Sequence, residues 1–305
     1  MGKALADSFA SARRVFAEVD AALGENLTEI IWEGPPDRLM LTENAQPALM
    51  AVSLAVMRVL EVEAGVDLAR DAAFVAGHSL GEYSALAAAD ALSVSDTAQL
   101  VRTRGRAMQK SVPLGSGAMA ALLGLDFDQA ATVAAEASQG EICQAANDNG
   151  GGQVVISGSK AAVERAVEIA KARGARRAMM LSVSAPFHCA LMQPAADAMK
   201  AELERVAIAR PKAPLVANVT ASAVSDPEAI REGLVAQVTG TVRWRESVDY
   251  MSAHGVTRFV EVGTGKVLAG LIKRIAEGAS AISVGTPSDV AAFKASAHRQ
   301  KTQKV

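Results

Sequence analysis

The sequence predicts an α/β protein in which a small ferredoxin-like subdomain is inserted into a larger body of helices and strands. Three observations predict it. Residues 115–184, about 70 in number, read in the order βαββαβ, the split-βαβ motif. Ahead of them, a short apolar strand runs into Gly77-His78-Ser79-Leu80-Gly81 and then a helix. Hydrophobic residues make up 50% of the 305 and charged residues 21%, enough for a buried core and too apolar for a disordered chain.

Each element has its own signal. Between Lys3 and Leu23, the residues Leu5, Phe9, Ala12, Val15, Phe16 and Val19 recur at helical spacing and predict one amphipathic helix. Gly34-Pro35-Pro36 is a loop, and Pro47 suits the first turn of a long helix reaching about Ala64. Ala72 to Gly77 predicts a short buried strand, Glu82 to Ala89 a helix, and Ser95 to Ser111 another. In the insert, strands are expected at Met119–Leu123, Ile142–Ala146, Val154–Ser157 and Arg177–Val183. Helices are expected at Asp128–Ser138, stopped by Gly140, and at Lys160–Arg173, stopped by Gly174. The body, 1–114 and 185–305, resumes near Pro186. It continues with a helix at Pro194–Val206, a strand at Leu215–Asn218, a helix at Asp226–Gln237 and a strand at Arg258–Val262. Gln300 to Val305 is polar and expected to fray.

Composition narrows the function classes. With 31 Lys+Arg against 33 Asp+Glu, the net charge of −2 argues against a nucleic-acid partner held by a basic field. Two cysteines make neither a disulfide framework nor a metal site, so a reducing, cytoplasmic setting is expected. The apolar stretch Ala48 to Met57 lies between Glu43 and Arg58, short of the roughly 20 residues of a membrane span, and no secretory leader is visible.

Gly77-His78-Ser79-Leu80-Gly81 fits the nucleophile elbow. Ser79 would sit on a sharp turn at a helix N-terminus, where backbone N–H groups can meet an oxyanion and where a side chain at Gly77 or Gly81 would clash. The bland alternative is a Gly-rich connection with a capping serine. A serine nucleophile needs a base. Of the four histidines, His78 is adjacent and turned away, His298 lies in the tail, and His254 sits at a helix end. His188 stands where the chain re-enters the body, and elimination favours it over a purely structural histidine. No acid to orient it is evident; Asp148 is the only loop candidate before it.

Arg104 shares a helix face with Leu100, Val101, Ala107 and Met108, whereas Arg102 and Arg106 share the polar face with Gln99 and Lys110. Arg104 therefore points inward and must meet an anion: a substrate carboxylate, or an internal protein acid. Gly263-Thr264-Gly265-Lys266-Val267 lacks the spacing and the hydroxyl of a phosphate loop. Cys143 and Cys189 read as small buried residues.

Taken together, these strings resemble the malonyl-CoA:acyl carrier protein transacylase family. The matching residues are Gln46-Pro47-Ala48-Leu49, Gly77 to Ala85, Arg104-Gly105, Gly117 to Ala121, Gly152 to Gly158, Pro186 to Met192, and Glu261 to Leu268, in order over nearly the whole chain. The resemblance implies an α/β-hydrolase-like large subdomain with the ferredoxin-like insert. It implies ping-pong transfer of malonyl from malonyl-CoA, through an ester on Ser79, to the phosphopantetheine thiol of acyl carrier protein, with His188 as base. Arg104 would hold the malonyl carboxylate, the Leu80 N–H would hold part of the oxyanion, and the Gln237 carbonyl would orient His188 in place of an acid. No cofactor, no metal and no membrane or nucleic-acid partner are implied, and a monomer is expected.

Two departures stand out. Thr241 replaces the family's proline before Val242. The chain also begins, at Met1-Gly2-Lys3, in what corresponds to the helix after the family's first strand and Gly-Gln-Gly-Ser-Gln loop, whose first Gln lines the oxyanion hole. The expectation is a truncated version, or a mis-assigned start, of a longer enzyme, with lower stability and rate. The alternatives are a serine hydrolase or thioesterase, which Arg104 counts against in part because a hydrolase of neutral esters has no use for an inward cation, and a catalytically weak carrier-protein-binding module. Formation of an acyl-enzyme separates the module from both enzymes.

Overall fold

The computed structural model describes residues 1–302, with side chains through residue 296. The expected tail from Gln300 divides there. Residues 300–302 continue a helix, and 303–305 lie outside the described residues, as does the side chain of His298.

The body opens with α1 (Lys3–Ser8) and α2 (Ala10–Leu23), followed by α3 (Leu27–Glu33), α4 (Pro36–Met40), α5 (Thr42–Ala64) and α6 (Leu68–Asp71). The single helix expected over Lys3–Leu23 is two: Phe9 is extended, at φ −130° and ψ 124°, and breaks it. The apolar face is nonetheless shared, with Leu5, Ala12, Val15, Phe16 and Val19 all buried. Helix α5 starts five residues earlier than Pro47 suggested, so Pro47 lies inside it, buried. By length and composition α5 could cross a membrane, which the stretch 48–57 alone did not indicate. It is instead the central core helix, 67% buried over its most apolar window.

Next come β1 (Val75–Ala76), α7 (Gly81–Ala88) and α8 (Val94–Lys110). Helix α8 crosses α5 so closely that a Cβ at Gly105 would lie 2.5 Å from Glu43 Cα and 2.7 Å from the Thr42 carbonyl oxygen. This crossing carries Arg104 up against Gln46. Helices α2, α5, α7 and α8 share one large apolar cluster with α11 (Gln193–Leu203). Each fully buried Leu, Val, Phe or Met in it contributes roughly 1.5–3 kcal/mol.

The insert contains β2 (Gly117–Leu123), α9 (Phe127–Ser138), β3 (Cys143–Asp148), β4 (Gln153–Ser159), α10 (Lys160–Ala172) and β5 (Arg177–Met180). Its sheet runs β3-β4-β2-β5, antiparallel throughout, which is the ferredoxin-like order. Ala120, Leu122, Val154 and Ile156 face the two helices in a separate apolar cluster. The expected strand over Arg177–Val183 ends at Met180, after which the chain turns toward the body.

After α11 come β6 (Leu215–Val216), β7 (Ala223–Val224), α12 (Pro227–Gln237), α13 (Trp244–Ala253), β8 (Arg258–Val262), α14 (Val267–Ile275), β9 (Ser280–Val284) and α15 (Pro287–Thr302). Strands β1, β6 and β7 form one small sheet, with β1 and β6 parallel; β8 and β9 form a parallel pair. The strands expected at Ala72–Gly77 and Leu215–Asn218 shrink to two residues each, and β1 is half-buried. The insert is stitched to the segment after α12. Asp148 N–H donates to the Val242 carbonyl at 2.9 Å, Val242 N–H to that of Ala146 at 2.9 Å, and the Thr241 hydroxyl to that of Ala145 at 2.8 Å. Thr241 thus gains a tether that a proline could not supply.

Candidate active site

Strand β1, the Ser79 turn and α7 make the elbow. Ser79 has φ 54°, in the left-handed region that a non-glycine residue rarely enters, so other groups must hold it there. Asn218, which follows β6 in sequence, does so. Its Nδ2 donates to the Gly77 carbonyl at 2.7 Å, and its Oδ1 accepts the Ser79 N–H at 2.8 Å. A Cβ on Gly77 would stand 2.0 Å from the Gly81 carbonyl carbon and oxygen, whereas one on Gly81 meets nothing within 4 Å. The clash expected at both glycines therefore exists only at Gly77. Gly77→Ala should destabilise the protein by about 1–3 kcal/mol through overpacking, while Gly81→Ala should be neutral or stabilising by up to about 1 kcal/mol. Thermal unfolding midpoints of the two variants check this; equal shifts would remove the close approach at Gly77 as the reason.

The chain re-enters the body so that His188 Nε2 lies 2.7 Å from Ser79 Oγ. His188 Nδ1 lies 2.9 Å from the Gln237 carbonyl oxygen. A carbonyl only accepts, so Nδ1 carries the proton and the Nε2 lone pair faces the serine hydroxyl. Burial, reinforced by the positive Arg104, pushes the imidazole down to about 3. His188 is therefore neutral in the resting protein at ordinary pH. The rate at which an uncharged fluorophosphonate labels Ser79 should then stay within about threefold from pH 8 to pH 5.5, whereas a free imidazole would lose about tenfold by pH 5.5. A decline centred near 6.5 would show that His188 titrates as if exposed.

Arg104 is 1% exposed. Its Nη1 donates to Gln46 Oε1 at 2.7 Å, and its Nη2 to Gln237 Oε1 at 2.9 Å and to Ser79 Oγ at 3.1 Å. All three are neutral acceptors, and Nε has no hydrogen-bond partner among the described residues. Burial lowers the guanidinium's pKa. Glu82 and Tyr83 act on this cation electrostatically without hydrogen-bonding to it, so a buried donor beside the nucleophile is left open to a further acceptor. The Arg102 expectation was wrong: Arg102 is buried as well, donating to Asn44 Oδ1 and pairing with Glu25 at 3.2 Å. Of the three arginines only Arg106 is exposed, between Glu25 and Glu43.

Leu80 leads directly into α7, and its N–H has no acceptor among the described residues. Gln237 is fully buried and supplies more than its carbonyl. Its Nε2 donates to the Ser79 carbonyl at 2.9 Å and to Glu82 Oε2 at 2.8 Å. Four of the five expected site residues, Ser79, Arg104, His188 and Gln237, are thus joined by hydrogen bonds at one place, and Leu80 follows Ser79 in sequence. Gln46, Glu82, Asn218 and the Gln237 amide were not foreseen. The signal for the first three is faint: each is a polar residue beside or within an apolar run.

The other candidates fall elsewhere. Asp148 ends β3 rather than a loop and pairs with Arg245 at 2.8 Å, not with His188. His78 Nε2 is 2.9 Å from Asn149 Oδ1, turned away from Ser79. His254 caps α13 and stacks on Tyr250 with ring centroids 4.1 Å apart. The N-terminus of α14, after Gly263-Thr264-Gly265-Lys266, is already filled by Glu261, which accepts from Leu268 and Ala269 N–H at 3.0 and 2.9 Å. Both cysteines are free and buried.

Comparison with known proteins shows the family. The acyl transferase domain family matches residues 1–304. A malonyl CoA-acyl carrier protein transacylase of Escherichia coli K12 is 45% identical over 288 residues, 94% of this chain and 92% of that protein. The solved acyl-carrier-protein-S-malonyltransferase of Bartonella henselae superposes with a TM-score of 0.95 at 54% identity, covering 98% of this chain and 95% of that one. A type II PKS acyl-carrier protein in complex with its malonyl-transacylase matches with a TM-score of 0.93 at 41% identity, covering 97% and 93%. The chain therefore belongs to the acyl transferase family and, within it, to the malonyl CoA-acyl carrier protein transacylases.

Proposed function

We propose that the chain moves malonyl groups from malonyl-CoA to the phosphopantetheine thiol of acyl carrier protein, through an ester on Ser79, for fatty acid biosynthesis. One observation carries this reading: Ser79 Oγ lies between His188 Nε2, at 2.7 Å, and Arg104 Nη2, at 3.1 Å. A cation that close to the nucleophile demands a carboxylate only a short link away from the reacting carbonyl. A malonyl thioester, with one methylene between the two, meets that demand. A neutral ester or a long acyl chain does not.

In the first half-reaction Ser79 Oγ bonds to the thioester carbon while its proton passes to His188 Nε2. The Leu80 N–H stabilises the oxyanion, a contribution worth ~10²–10³ in rate for one such donor. The carbon–sulfur bond breaks, and His188 returns the proton to the leaving CoA thiolate. In the second half the carrier's thiol gives its proton to His188, its sulfur attacks the ester, and Ser79 Oγ leaves and recovers the proton. The Gln237 carbonyl holds the imidazole throughout and stabilises the transient imidazolium.

The partner assignment is supported by the relative that is solved with an acyl-carrier protein. A cytoplasmic setting is part of the proposal, supported by two free thiols. Intact mass spectrometry tests the reading. Mixing with malonyl-CoA should add one malonyl group to the protein, and adding holo carrier protein should move that mass to the carrier. An adduct that decays to free malonate without reaching the carrier would make the chain a thioesterase. Absence of any adduct would leave a binding module.

A further inference from the structure

Glu82 is a carboxylate without a task in the reaction above. It lies in the first turn of α7, three residues after the nucleophile, and is 1% exposed. Its Oε2 accepts from two neutral donors, Gln237 Nε2 at 2.8 Å and Asn218 N–H at 3.1 Å. Burying a carboxylate on neutral donors alone is costly, and burial pushes its pKa up to about 7. Arg104, from α8, is the charged group facing it; Tyr83 is its titratable neighbour on α7, and α12 and Asn218 present only amides.

The Gln237 amide has two different ends and can turn either one toward Arg104. With Oε1 toward Arg104 it gives the guanidinium an acceptor, at 2.9 Å; with Nε2 there it would set donor against donor. Glu82 Oε2 accepts both of its bonds, so it draws Nε2 to itself and leaves the Gln237 Oε1 for Arg104. The Ser79 carbonyl at 2.9 Å and Asn218 Oδ1 at 3.3 Å pull the same way, as weaker, uncharged acceptors.

We propose that Glu82 is a positioning residue for acyl-group selection: its buried carboxylate holds the Gln237 amide with Oε1 toward Arg104, and so aims the guanidinium at the free carboxylate of the acyl group. This rests on the malonyl-transfer reading. A second line of bonds, through Asn218 to the Ser79 N–H, supports the nucleophile itself, so loss of Glu82 should weaken all acylation and malonyl acylation most.

The test compares Glu82→Ala, Glu82→Gln and the native protein, each counted by its fluorophosphonate-reactive Ser79 sites, for loading by malonyl-CoA and by acetyl-CoA. Glu82→Ala should lower the malonyl-to-acetyl ratio of kcat/KM by about tenfold or more. Glu82→Gln keeps an acceptor oxygen and should restore the ratio to within about threefold of native. Equal losses for both thioesters, or a loss that vanishes when counted per reactive site, would make Glu82 merely structural and overturn the proposal. If Glu82→Ala does not fold, Glu82→Asp withdraws the oxygen by one methylene while keeping the charge. Its ratio should fall by about threefold or more, and an unchanged ratio would equally overturn the proposal. Native protein that takes no malonyl would instead refute the underlying reading, which the variants alone do not address.

Discussion

Ser79→Ala should form no covalent adduct with malonyl-CoA and should lose transfer to carrier protein by on the order of 10⁴–10⁶ in rate. The size follows from chemistry that nothing else at the site can perform. The methyl of alanine cannot bond to the thioester carbon, and His188 then has no proton to take. Direct attack by the carrier's thiol on malonyl-CoA would be left with only the Leu80 N–H and Arg104 to assist it. The fold should be untouched, because Asn218 holds the turn through the backbone of residues 77 and 79 and not through the hydroxyl. An unchanged unfolding midpoint is therefore the control. Stoichiometric labelling of Ser79→Ala by radioactive malonyl-CoA would remove Ser79 from the mechanism.

Arg104→Ala should lower kcat/KM for malonyl-CoA by the equivalent of ~1.5–3 kcal/mol or more, that is by at least one to two powers of ten. Acetyl-CoA should lose far less. The asymmetry has two sources. Only malonyl offers a carboxylate to the buried guanidinium. The positive Arg104 also helps to hold His188 well below its ordinary range, so its removal makes the imidazole a better base for either substrate. Bound malonyl has a comparable effect in the native protein, since its carboxylate offsets the cation as it docks. The measurement is the pair of kcat/KM values in native and variant protein. A matching drop for acetyl-CoA would mean that Arg104 serves the fold rather than selection.

Much of the site was legible because its decisive features are local. The elbow is five residues long, and its glycine requirement follows from steric contact within a few ångströms. The Gly77 close approach bears this out, while open space at Gly81 shows that only one of the two glycines is needed for room. The insert was legible because each of its strands and helices has a full period of its own. By contrast β1 and β6, at two residues each, are too short for any alternation to develop, and their extent is set by pairing with each other. The break at Phe9 was hidden because the apolar residues on both sides keep helical spacing across it.

By itself, then, the sequence determined the α/β class, the ferredoxin-like insert, the serine turn and the inward face of Arg104. Only the tertiary structure decided how those parts work together. Arg102 is also buried, because α8 is covered on more than the one face its periodicity marks, with Glu25 and Asn44 closing over the other. Gln237 reaches the Ser79 carbonyl across 158 residues of chain, and Glu82 meets it across 155. Spacing along a chain reports which way a side chain faces. It carries no information about which distant polar group will face it. In a closed interior each buried donor or acceptor must find a partner, and packing of the whole chain makes that choice.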